Sequence, residues 1–340
     1  MGDYPFHLIP SKPEDVLSPQ DRQWLTRRPF LKTKRTLADD AAKFVAGEAL
    51  ADAMNTAIAI GDPLLLTGEP GTGKTQAAYY AAWQLGVECI HFQVKSDAVA
   101  RDLLYDFDMV RYFRDAHLRS ETLEMARVPV ESPDSRPGNR SARVAACGEE
   151  LDKTRYIEER ALWKALRIGR ETGLPQVLLI DEIDKAPRDF PNDLLHELDQ
   201  MEFTIKETGE KIDAPPELRP IVFITSNSER RLPEPFLRRC VYHHIEFDDE
   251  IVRRAVQARR SDYGDLSEEF LELAMKRFLS LRDRTLRKPP ATAEFLAWLR
   301  VLSLAAGRDL KLDVDISELP GLGTLLKDRQ DIAESKTRSR

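Results

Sequence analysis

Gly68-Glu69-Pro70-Gly71-Thr72-Gly73-Lys74-Thr75 fills every fixed position of G-x-x-x-x-G-K-[ST]. The apolar run Pro63-Leu64-Leu65-Leu66-Thr67 precedes it, and Gln76-Ala77-Ala78-Tyr79-Tyr80-Ala81-Ala82, a good helix former, follows. A strand, a glycine-rich turn and a helix start are the setting in which backbone N–H groups turn inward around phosphates. The helix N-terminus adds partial positive charge to that cradle. The spacing predicts that Lys74 reaches the β- and γ-phosphates and that the Thr75 hydroxyl ligates Mg²⁺. Gly68 through Thr75, with Gln76 on the same first turn, form the predicted nucleotide-binding set. A nucleoside triphosphate is the expected ligand.

The bulk composition sets limits on the rest. The chain has 340 residues, 42% hydrophobic and 32% charged, and a net charge of −7; its mean hydropathy is −0.44. That length predicts one large domain with a smaller one. No apolar run approaches the roughly 20 residues that span a bilayer, and Met1-Gly2-Asp3-Tyr4-Pro5 lacks the layout of a secretion signal. Cys89, Cys147 and Cys240 are widely spaced, which argues against a disulfide framework or zinc site and fits a cytoplasmic location. The acidic balance argues against general nucleic-acid binding.

Strand-like runs recur between helical ones: Leu64–Thr67, Glu88–Val94, Val177–Ile180, Ile221–Thr225 and Val241–Phe247. The middle runs are almost continuously apolar, as parallel strands covered on both faces must be. An α/β fold is predicted, with a parallel sheet between helices and the ligand at the C-terminal strand ends. Residues 37–247 form this core. Two insertions interrupt it: a polar, proline-containing loop region at about 115–156, and an alternating hairpin at about 203–213. Residues 1–36 read as an N-terminal extension. Thr36 is a possible N-cap for a helix through Leu37–Val45. Strand signals stop after 247, so residues 248–306 are predicted to be an all-helical subdomain. Residues 307–340 read as a C-terminal tail, polar and frayed from Asp328.

Val177-Leu178-Leu179-Ile180-Asp181-Glu182 is a buried strand that ends in two adjacent acids. Such acids next to a buried run are costly unless a cation or a reaction uses them. In phosphate-loop enzymes the first acid helps to hold Mg²⁺ and the second polarises the attacking water, which assigns Asp181 to the metal and Glu182 to the general base. Ile221-Val222-Phe223-Ile224-Thr225-Ser226-Asn227 is the next strand. Its Asn227 is expected to bridge the γ-phosphate and the water from the side opposite Glu182, although an Asx-turn at a strand end would also place an Asn there.

Together, the loop, the terminal Asp-Glu, the Ser-Asn strand end and the helical lid resemble an AAA+ ATPase. Leu232-Pro233-Glu234-Pro235-Phe236-Leu237-Arg238-Arg239-Cys240 resembles the LPEAxLDRF signature of the MoxR family, and the hairpin before the Asn227 strand also matches that branch. Tyr156–Leu166 resembles the family's Gly-Pro-Leu segment before a helix, although this chain has Arg160-Ala161-Leu162 there. The resemblance covers residues 37–306. It implies ATP as the nucleotide, a phosphate-loop NTPase core with an all-α lid, and a ring oligomer, six subunits by analogy. Arg239 falls on the arginine-finger position, with Arg238 as the adjacent alternative, and would reach the γ-phosphate of a neighbouring subunit. The lid helix of the family opens with a sensor arginine; here Arg287-Lys288-Pro289-Pro290 precedes the helix. Lys288 or Arg287 is the expected substitute, and a simple turn into the helix is the alternative.

The resemblance also implies a protein client, with or without a partner that carries a von Willebrand factor A domain. A nucleotide-gated scaffold with slow turnover is a second possibility and a nucleic-acid-handling NTPase a third. For the third, the chain offers no helix-turn-helix, zinc module or aromatic-interleaved basic patch.

Overall fold

A computed structural model describes residues 36–127, 151–227, 230–264, 266–304 and 311–337. Most of the predicted N-terminal extension therefore lies outside the described residues. Five strands, β1 (Leu64–Gly68), β2 (Cys89–Gln93), β5 (Val177–Asp181), β8 (Ile221–Thr225) and β9 (Val241–Ile245), form one sheet in the order β2-β5-β8-β1-β9. Every pairing is parallel. The three central strands are the near-continuous apolar runs, because each strand is covered on two sides.

Alternation along the strands sorts the side chains into two cores. Leu64, Leu66, Val177, Leu179 and Phe223 pack with Leu50, Met54, Ala77 and Ala78 from helices Glu48–Ile60 and Lys74–Leu85. Leu65, Leu178, Ile180, Val222 and Ile224 face the other way, onto Leu162, Leu166, Leu194 and Leu198 from helices Ala161–Thr172 and Phe190–Gln200. All five strands run the same way, so their C-terminal ends meet along one edge of the sheet, where Gly68, Asp181 and Thr225 lie.

The expected helix over Leu37–Val45 is broken. Thr36–Asp39 forms one turn and Ala41–Lys43 a 3₁₀ turn; Phe44 is extended, and a long helix starts only at Glu48. The break lets the Phe44 ring pack 5.4 Å from that of Tyr80, which a continuous helix would prevent. The first insertion is more ordered than a polar loop. Helix Met109–Arg127 is flanked by an antiparallel pair, β3 (Tyr105–Phe107) and β4 (Ile157–Glu159); residues 128–150 lie outside the described residues. The side chains of the helix's first turns are largely exposed, and its start is held by Asp108 Oδ1, which accepts the Arg111 N–H at 2.8 Å. The hairpin is present as β6 (Phe203–Thr204) and β7 (Lys211–Ile212).

Helices Asp249–Ala258, Glu268–Arg282 and Thr292–Leu304 build the lid. Asp248 caps the first by accepting the Glu250 and Ile251 N–H groups, and Ser267 caps the second through Phe270. Phe278 and Phe295 stack at 4.4 Å in its core, beside Trp298.

The predicted tail belongs to this lid. Leu312, Ile316, Leu319, Leu325 and Leu326 are buried in the same core, and Arg329–Thr337 is helical. Asp331, 2% exposed, accepts the Arg287 and Lys288 N–H groups at 3.0 and 3.1 Å. The polar appearance of the segment misled because its one inward carboxylate works as a backbone acceptor. Replacing Asp331 with Ala should remove the acceptor of two part-buried N–H groups and destabilise the lid by about 0.5–1.5 kcal/mol for each bond lost. Urea unfolding followed by tryptophan fluorescence would measure this, since Trp298 lies in that core.

Candidate active site

Gly68 ends β1 at φ 143°, and a Cβ there would stand 2.6 Å from the Ile245 carbonyl oxygen. Only glycine lets the chain leave the strand at that point. Helix Lys74–Leu85 begins immediately after the loop and points its free N–H groups back at it. Lys74 is 6% exposed and donates from Nζ to the Gly68 and Glu69 carbonyls, both at 2.9 Å. Burial pulls its pKa below the usual lysine value, against the raising influence of Asp184, Asp181, Glu182 and Glu69. Thr72 and Gln76 are tied locally: Thr72 Oγ1 donates to Glu69 O at 2.9 Å and Gln76 Nε2 to Leu37 O at 2.8 Å.

Asp181 is the hub, at 5% exposure. Its Oδ1 accepts from Thr75 Oγ1 at 2.9 Å and from Thr225 Oγ1 at 2.6 Å, and its Oδ2 lies 3.2 Å from His91 Nε2. Burial would raise its pKa, but the His91, Thr225 and Thr75 contacts outweigh burial and hold it below the ordinary carboxylate value. This oxygen-donor pair suits Mg²⁺, which takes one or two protein oxygens and completes its shell with phosphate and water. Among the described residues no cluster of three or more His, Cys, Asp or Glu is poised for a metal.

Glu182 follows at φ 62°, ψ 50°, in the left-handed region. A residue with a Cβ costs about 1–2 kcal/mol there. The Glu182 N–H donates to Thr225 Oγ1 at 2.9 Å, which locks the turn. The carboxylate meets Gln93 Nε2 at 2.6 Å and Asn227 Nδ2 at 3.5 Å, and pairs with Lys185. Asn227 is anchored through its own N–H to Asp184 Oδ1 at 3.1 Å. The structure thus brings Lys74, Thr75, Asp181, Glu182 and Asn227 to one edge.

Arg239 is elsewhere. Val241 aligns with Leu64 at the beginning of β1, so Arg239 lies beyond the N-terminal strand ends. About 13 Å of strand separates that end from Gly68. Its Nη1 donates to Asp199 Oδ2 at 2.8 Å, and Arg238 pairs with Glu234 at 3.3 Å.

Lys288 is exposed, and its N–H is held by Asp331. The lid cation that touches the loop is Arg282 of the preceding helix. Its guanidinium sits 3.6 Å over the Phe247 ring and donates to Pro290 O at 2.6 Å and to Glu69 Oε2 at 3.1 Å. Stacking on an aromatic ring so distant in sequence leaves no trace in the spacing around Arg282. The lid also meets the loop through Ala293 N–H, which donates to Gly71 O at 3.1 Å. Beside the loop, Phe44, Val45, Leu50, Thr72, His244, Ile251 and Thr292 line a cavity of about 490 Å³, a size and composition suited to a nucleobase.

His91 and Gln93 touch the two acids and lie outside the predicted set. Their signal was present: polar residues at alternate positions of the short strand β2, which share the face of Asp181 through the Gln93–Asp181 register. Residues 63–240, more than half of the chain, match the AAA domain family, dynein-related subfamily. The chain belongs to that family. ATP binding and hydrolysis are the activity of such domains, and the phosphate loop and the Asp181–Glu182 strand end both fall within the matched span. A crystal structure of a candidate ATPase from Cytophaga hutchinsonii is similar at 14% identity, covering 88% of this chain and 83% of that one, with a TM-score of 0.39. No curated protein matches. Among the described residues no helix is long and apolar enough to cross a membrane.

Lys74→Ala removes the cation buried in the cradle and should weaken ATP binding. Glu182→Gln keeps the shape and should bind ATP without turning it over. Equilibrium binding of a fluorescent ATP analogue and steady-state phosphate release check the pair; unchanged release by Glu182→Gln would remove Glu182 as the base.

Proposed function

We propose that the chain is a MoxR-like, ATP-driven ring ATPase that remodels or activates a protein client, each site being completed by Arg239 of the next copy. The observation that carries this is the position of Arg239 at the strand ends opposite the phosphate loop. From there it cannot reach its own nucleotide, whereas a head-to-tail interface would bring it to a neighbour's. Its side chain is 53% exposed and that of its partner Asp199 46%. Such a surface pair is worth about 0–1 kcal/mol, so it is readily exchanged for a γ-phosphate.

The residues then divide the work. Lys74 leaves the Gly68 and Glu69 carbonyls for the β- and γ-phosphates. Thr75 and Asp181 would hold Mg²⁺, which would offset the negative charge of the phosphates. Glu182 accepts the proton of the attacking water, and Asn227 orients that water from the other side. Arg239 of the neighbour stabilises charge in the transition state, a contribution worth ~10³–10⁵ in rate. A protein client, met directly or through a von Willebrand factor A partner, would take up the work. The exposed Met109, Val110 and Phe113 of helix Met109–Arg127 support a protein-facing surface.

A nucleotide-gated scaffold is the second reading. It is favoured by the engagement of Glu182 with Lys185 and Gln93, since a carboxylate so occupied is a slow base until it is released.

Arg239→Ala should bind ATP through its own Lys74 and Thr75 yet hydrolyse poorly. Mixed with Lys74→Ala subunits, it should regain part of the activity, because an intact Arg239 then faces a loaded site. No recovery in subunits shown by light scattering to co-assemble would place the finger elsewhere, with Arg238 next.

A further inference from the structure

Outside the predicted set, one polar chain runs into the site from behind. Tyr79 lies on the helix that starts at Lys74, one turn beyond Thr75, and its hydroxyl is 3.1 Å from His91 Nδ1. The two rings meet edge-on at 6.0 Å. The other ring nitrogen, Nε2, stands 3.2 Å from Asp181 Oδ2. That distance is within ion-pair range, and the buried Nε2 has no other polar partner.

The chemistry of the three groups fixes the proton. An ionised carboxylate only accepts, so the nitrogen that faces it carries the hydrogen. Nδ1 is then the acceptor and Tyr79 O–H the donor. The tautomer that presents N–H to Asp181 is thus set by a tyrosine from the helix that carries Thr75.

We propose that His91, oriented by Tyr79, is a positioning residue that holds Oδ2 of Asp181 so that Oδ1 stays turned to Thr75 and to the Mg²⁺ of the bound nucleotide. Thr225 Oγ1 pins Oδ1 from the neighbouring strand. Without the His91 contact, the carboxylate keeps one anchored oxygen and is free to swing about it. Partners that orient a metal ligand in this way typically account for about 10–100-fold in metal affinity or activity. The inference rests on the nucleotide reading above.

The test uses the full chain and a fluorescent ATP analogue, titrated with Mg²⁺ and, separately, bound in EDTA. His91→Ala should raise the Mg²⁺ midpoint for tight binding about 10-fold and leave affinity in EDTA unchanged. His91→Gln, whose amide N–H reaches the same place, should restore most of the midpoint. Tyr79→Phe should shift it in the same direction by a smaller factor. An unchanged midpoint in a folded His91→Ala, or an equal loss in EDTA, overturns the proposal. If His91→Ala does not fold, an unshifted Tyr79→Phe does the same. A wild-type chain that binds no analogue would instead refute the nucleotide reading itself.

Discussion

A carboxylate that is almost wholly buried at the end of a central strand must be solvated by the protein, and Asp181 imposes that demand on everything around it. The demand is met from three other elements: Thr75 from the helix after the loop, Thr225 from β8 and His91 from β2. A single anion thus ties β2, β8 and the helix after the loop to the end of β5. Thr225 serves twice, since its hydroxyl donates to Asp181 and accepts the N–H of Glu182. The two adjacent acids are therefore set relative to each other by one side chain.

The lid meets this frame at a few defined points. Ala293 bonds to the loop at Gly71, and Arg282 reaches Glu69 while stacked on Phe247 at the junction of core and lid. Gly71 sits at φ 83°, where a Cβ would come 2.7 Å from Glu294 Oε2. The loop that receives phosphates is thus also the surface on which the lid rests. The helical unit that rests there has a core that extends through the C-terminal segment to Ile332.

Much of this frame was legible in the sequence because it follows from local rules. Continuous apolar runs such as Val177–Ile180, short and set between helical segments, read as parallel strands with two covered faces, and the loop motif fixes its own backbone. Asp181 and Glu182 could be read because ionisable residues at the end of a buried run require a reason. What escaped depends on contacts distant in sequence. The break at Phe44 is decided by Tyr80, the role of Arg282 by Phe247, and the inward turn of Asp331 by two N–H groups some forty residues earlier. No local pattern encodes those partners. His91 lay between the two cases: its alternation on β2 was visible, but its proximity to Asp181 required the strand order.

Glu182 carries a further implication. At φ 62° its backbone would be easier for glycine or asparagine than for glutamate. Selection for thermal stability alone would therefore push this position away from a carboxylate, and a library screened by melting temperature would enrich variants lacking the acid. Retention of glutamate in a left-handed turn means that fold and chemistry pull in opposite directions at this residue, and the Thr225 hydroxyl that holds its N–H is what keeps the unfavourable turn in place.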